Sequence, residues 1–125
     1  MVKTILRHEG IAAADLSFVF VTDRTIKALN KKYLQRNHAT DVLAFDLSTD
    51  ELSSKKSKAS LTGEIIISVE AAVKNAKLYH ATLKAEITLY VIHGILHLLG
   101  YDDHSSSDIK RMRAKEQELL NLLSI

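Results

Sequence analysis

Tyr90-Val-Ile-His93-Gly-Ile-Leu-His97-Leu-Leu-Gly100-Tyr-Asp102-Asp103-His104 is the stretch on which the reading of this chain turns. From Leu83 to Leu99 the residues have helical character, and the second half of that span is apolar on nearly every side, as a helix buried in a core must be. Two histidines interrupt it. Spaced four apart, His93 and His97 project from one helix face, within reach of a single ion. Chance alone gives some HxxxH pair in a chain with six histidines with an expectation of ~0.3, so the spacing by itself is weak and its surroundings must decide. A buried imidazole without a partner costs roughly 1 to 3 kcal/mol, and a shared metal satisfies both rings. Gly100 is placed to take the left-handed conformation that ends a helix. The reversed chain then brings Asp102, Asp103 and His104 back beside the pair. Two hydrogen-bonded core histidines would explain neither the glycine nor the trailing donors.

Outward from this helix, Leu16–Val21 (LSFVFV) reads as a strand ending at Thr22-Asp23, both good helix N-caps. Ile26, Leu29 and Tyr33 mark an amphipathic helix over residues 24–33. Asp41–Leu47 (DVLAFDL) and Gly63–Ser68 (GEIIIS) read as two further strands able to pair, and the serine- and lysine-rich segment Ser48–Ser60 between them as a connection. Helical spacing resumes over Val69–Tyr79. A last amphipathic helix runs from about Ser107 to Leu122, its periodicity marked by Ile109, Met112, Glu116, Leu119 and Leu120, with serines available as the cap. Met1–His8 is expected to be helical. The expected fold is α/β, in the α+β sense: a small mixed β-sheet packed with about four to five helices, the metal-bearing helix in the core, all within one domain spanning residues 1–125.

Composition supports a globular chain, with 46% hydrophobic and 26% charged residues among 125. There is no cysteine, so disulfides and thiolate metal sites are excluded, and any metal must sit on His, Asp or Glu. The N-terminus lacks the apolar core of a signal peptide and no stretch is suited to crossing a membrane, so a cytoplasmic protein is expected. The net charge of +2 neither requires nor excludes a nucleic-acid partner. Basic residues cluster at Lys31/Lys32/Arg36, Lys55/Lys56/Lys58 and Lys110/Arg111/Arg113/Lys115.

The run HGILHLLGYDDH resembles the HGxLHLxGYDH signature of the YbeY family of bacterial rRNA-maturation endoribonucleases. The likeness continues upstream through Leu29-Asn30, Tyr33, Thr40–Phe45 (TDVLAF, similar to TDVLSF) and Gly63–Ser68 (GEIIIS, similar to GDIVIS). The resemblance implies a zincin-like metal helix in the core, one Zn2+ per chain on His93, His97 and His104, and Asp102 beside the site. Asp103 is the alternative third ligand, because it is Asp103 that stands at the family's usual spacing. It further implies a single-strand-specific endoribonuclease active in 16S rRNA 3′-end processing and ribosome quality control, with rRNA and the small ribosomal subunit as partners. Where the family carries an arginine after the tyrosine, this chain has Leu34. Arg36 stands two residues on and is the candidate for phosphate contact and catalysis.

Three protein ligands leave a position at which water is activated at neutral pH. Asp102 is expected to act as a base or, preferably, to orient a ligand histidine. Thr40, Asp41 and Ser68 are expected to line the substrate groove, although Ser68 equally suits a helix cap. Gly94 occupies the position that holds the general-base glutamate in HExxH peptidases, which disfavours peptide hydrolysis. Two other readings remain: a zinc hydrolase of another substrate class, and a non-catalytic RNA- or ribosome-binding zinc protein.

Overall fold

The computed structural model describes residues 1–34, 40–47 and 60–124. In chain order its elements are α1 (Val2–His8), β1 (Ala13–Val21), α2 (Asp23–Leu34), β2 (Val42–Asp46), β3 (Ser60–Ser68), α3 (Val69–Leu78), α4 (Leu83–Leu98) and α5 (Ser106–Leu122). This is an α+β fold with a mixed sheet in the order β1-β3-β2. β3 pairs in parallel with β1, from Ala13↔Ser60 to Val21↔Ser68, and antiparallel with β2, from Val42↔Ile67 to Asp46↔Gly63.

A central strand covered on both faces should be apolar at consecutive positions rather than alternating, and Ile65-Ile66-Ile67 is. The side chains still divide by parity. Ile65 and Ile67 join Ile92, Ile95 and Leu96 of α4 in the main core, whereas Ile66 packs with Ile26 of α2 and Leu43 of β2 on the opposite face. Two glycines let α4 lie close on the sheet: a Cβ on Gly63 would sit 2.6 Å from Leu98 Cδ1, and one on Gly94 would sit 2.7 Å from Ile65 Cγ2.

Local chemistry sets the ends of the elements. The Thr22 hydroxyl accepts from the Thr25 amide at the start of α2, and Thr82 caps α4 by accepting from Ala85 N at 3.0 Å. At the other end of α4, Gly100 takes φ +99°, Gly100 N–H bonds His97 O and Tyr101 N–H bonds Leu96 O. This is the paired closure of a glycine-terminated helix. Ser105 and Asp108 form a reciprocal capping box that starts α5. α1 buries Ile5 and is tied to α5 by His8–Glu118 at 3.0 Å and Glu9–Lys115 at 3.0 Å.

The expected elements are present with small differences at their ends. β3 opens at Ser60 rather than Gly63, because β1 supplies a parallel partner for residues 60–62 that a short apolar run does not disclose. Apart from Ser60, the expected connection Ser48–Ser60 lies outside the described residues, as does Arg36. No helix among the described residues is long and apolar enough to cross a membrane.

Candidate metal centre

α4 presents His93 and His97 toward a cleft of about 560 Å³ whose opposite wall is the segment Thr40–Ala44 leading into and along β2. The pairing of β2 with β3 sets that wall, since Ser68 N–H bonds Asp41 O at 2.9 Å at the end of the ladder. The remaining side of the cleft is the loop 102–104, turned back by Gly100, with Glu116 from α5.

The imidazoles meet edge to face, with ring centroids 4.5 Å apart and Nε2 atoms 3.0 Å apart. Two nitrogen lone pairs cannot face each other at that distance, so the contact requires a proton or a cation between them. Bonds of about 2.0–2.1 Å to a common ion span such a separation. His93 Nδ1 lies 3.0 Å from Glu116 Oε2. His97 Nε2 lies 3.8 Å from Asp103 Oδ2. Burial holds the His97 pKa below the ordinary histidine range, with His93 adding to the effect and Asp103, Asp102 and Glu116 opposing it. Burial thus favours the neutral form of the ring, the form a ligand must have.

His93, His97 and Asp103 bring donor atoms within 4.8 Å of one another. His104 differs from expectation. Its side chain is 66% exposed and its Nε2 lies 3.1 Å from Asp102 Oδ1, so it shares a group with Asp102 and Asp103 rather than with the helix pair. Within the turn Asp102 Oδ1 accepts from Asp103 N at 2.8 Å, and Asp102, Asp103 and His104 all border the cleft, with Asp103 the one whose carboxylate comes near the helix pair. Asp102 thus touches the loop and His104.

Thr40 and Asp41 line the cleft. Desolvation pushes the Asp41 carboxyl above its usual range, against the pull of His93 and reinforced by Asp23. Ser68 is buried away from the cleft. Its hydroxyl accepts from Ala71 N at 3.1 Å and donates to Asp23 Oδ1, which accounts for it as the cap of α3 and gives it no groove-lining position.

Asn30 and Tyr90 also line the cleft, and neither was singled out from the sequence as a site residue. Asn30 is buried on a helix otherwise marked by lysines, and a polar residue at the inward position next to Leu29 was the available signal. The Tyr90 hydroxyl accepts from Asn75 Nδ2 at 2.7 Å, and burial pushes its pKa up to about 12, so it stays protonated.

Comparison with known proteins gives concordant likenesses. A family model described as Endoribonuclease YbeY matches residues 1–124. A protein named Endoribonuclease YbeY from Pelotomaculum thermopropionicum is 37% identical over 124 residues, covering 98% of this chain and 82% of the relative. One of the same name from an Anaeromyxobacter species is 41% identical over 110 residues, but this chain spans only 55% of its length. Among solved structures, the solution structure of a Thermotoga maritima protein aligns with TM-score 0.64 at 29% identity, covering 97% of this chain and 75% of that one.

Proposed function

Since this chain belongs to the YbeY endoribonuclease family, we propose that it is a metal-dependent endoribonuclease that cleaves single-stranded RNA, acting on rRNA of the small ribosomal subunit. The observation that carries the reading is the pair of Nε2 atoms 3.0 Å apart on the floor of a cleft, with the Asp103 carboxylate at its edge. Two imidazoles and one carboxylate form a set used by catalytic zinc sites that keep one position open. His93, His97 and Asp103 would hold one Zn2+ per chain, with His104 outside the ligand set.

When bound, the cation supplies Lewis-acid polarisation of a phosphodiester oxygen and of an attacking water. The chain's own groups do the rest. Burial lowers the His97 pKa and so favours the neutral ring that offers a lone pair to a cation. Asp102 fixes the loop through its bond to Asp103 N–H. Thr40 and Asp41 offer a hydroxyl and a carboxyl to the sugar hydroxyls of a strand lying along the cleft, and Arg36 is the proposed contact for its phosphates. Peptide hydrolysis is disfavoured sterically as well as chemically. Position 94 faces Ile65 of β3 rather than the cleft, so a glutamate there would meet the sheet and not a substrate.

Purified protein of measured metal content, incubated with single-stranded RNA, duplex RNA and casein with and without chelator, tests the proposal. Cleavage confined to single-stranded RNA, stopped by chelator and absent in His97→Ala, is the expected outcome. RNA cleavage indifferent to both chelator and the substitution would trace the activity to a contaminating nuclease and refute it.

A further inference from the structure

The geometry points to Glu116 as a positioning residue: its carboxylate accepts a hydrogen bond from His93 Nδ1–H and so fixes the tautomer that leaves His93 Nε2 unprotonated toward His97. A carboxylate can only accept, so the 3.0 Å contact places the ring proton on Nδ1. Neutral imidazole carries one proton, and Nε2 is then a lone pair aimed at the Nε2 of His97, 3.0 Å away. In water a free histidine side chain favours the opposite tautomer, with the proton on Nε2. The contact is therefore a constraint that α5 imposes on α4.

The position of Glu116 supports a dedicated role. It lies on the inward stripe of α5, four residues after Met112 and three before Leu119, both buried. A carboxylate on that stripe is costly unless something receives it. Its side chain is 14% exposed, against 24% for His93, so both ends of the contact are shielded from water. The neighbouring cation does not take it up, since Lys115 is held by Glu9 at 3.0 Å and by Glu118 at 2.7 Å on the side facing α1.

This inference rests on the proposed metal at His93 and His97, where removal of such a carboxylate partner typically lowers metal affinity about 10- to 100-fold. The test compares the full-length chain with Glu116→Ala and Glu116→Gln in two measurements. One is 15N NMR of the histidine rings in chelator-treated protein at about pH 8, where imidazoles are neutral. The other is Zn2+ affinity by competition with a chromophoric chelator. The wild type should show His93 protonated at Nδ1. Glu116→Ala should shift it toward Nε2–H and lose about 10- to 100-fold in Zn2+ affinity. Should the alanine variant fail to fold, Glu116→Gln keeps an acceptor oxygen, so an Nδ1–H tautomer retained in that variant supports the assignment, while a wild-type His93 carrying its proton on Nε2 overturns it. Zn2+ binding by the wild type with tautomer and affinity unchanged in Glu116→Ala also overturns it and leaves the metal reading standing. Conversely, a wild type that takes up no Zn2+ but shows an Nδ1–H tautomer lost in Glu116→Ala overturns the metal reading and upholds the hydrogen-bond assignment.

Discussion

Adding one methyl group at position 94 tests how closely α4 is pressed onto the sheet. In Gly94→Ala the new Cβ would meet Ile65 Cγ2 at 2.7 Å, Cδ1 at 3.0 Å and Cγ1 at 3.1 Å. Ile65 is fully buried in the central strand, and its γ-branch cannot swing aside without displacing other core side chains. Overpacking of this kind costs about 1–3 kcal/mol, whereas replacing a mid-helix glycine by alanine returns about 1 kcal/mol of helix propensity. The net expectation is destabilisation of about 1 kcal/mol. An unfolding entropy of about 2.1 cal/mol/K per residue over 125 residues makes that a fall of roughly 4 °C in Tm. Urea and thermal unfolding measure it, and a double-mutant cycle assigns its cause. In an Ile65→Ala background the methyl enters vacated space, so the same substitution should become neutral or stabilising, a coupling of about 1–3 kcal/mol. Equal or greater stability of Gly94→Ala in the native background would refute the packing argument, and with it the steric case against a glutamate at this position.

Two further perturbations address the cleft. Asp103→Asn removes a charged donor beside His97 and should weaken Zn2+ binding on the order of 10- to 100-fold, a loss of about 1.5–3 kcal/mol, whereas His104→Ala should change it little; competition titrations showing the reverse order would transfer the ligand role to His104. Asp41→Asn should raise stability at neutral pH. The folded-state pKa of Asp41 is raised, so its charged form is disfavoured by folding and the native state binds more protons as pH falls. The advantage of asparagine is therefore complete above the raised folded pKa and disappears as pH falls toward the unfolded value. Thermal melts at pH 7.5 and at successively lower pH check this, and an advantage that grows on acidification would reverse the sign of the argument.

Much of this molecule could be read from residue patterns because its strongest signals are local. The all-round apolarity of Val91–Leu99, the terminating Gly100 and the serine-led start of α5 each encode a feature within a few residues, and each appears in the structure. What escaped depends on residues far apart or on side-chain direction. The parallel pairing of β1 with β3 skips α2 and β2, and no run of a few residues records it. Ser68 presented a hydroxyl that suited both a groove and a helix cap, and only its burial beside Asp23 separates the two. Asp103 and His104 are adjacent donors on a turn, and which of them comes near the helix pair depends on side-chain direction, which adjacent positions in a sequence do not record. Glu116 registered only as a step in the helical periodicity. A charged residue on an inward stripe was the sign that something inside received it.

The short turn after Gly100 has a consequence for how the centre assembles. His93, His97, Asp103 and Glu116 all belong to one helical hairpin, α4 and α5 joined by a few residues. Closing so short a loop costs little chain entropy, so bringing these side chains together needs little beyond the docking of α5 on α4. The facing wall at Thr40–Ala44 comes from far upstream and is set by the pairing of β2 with β3. The side chains proposed to hold the ion and the strand that forms the facing wall therefore come from separate stretches of the chain, so a donor in the hairpin can change without altering that wall.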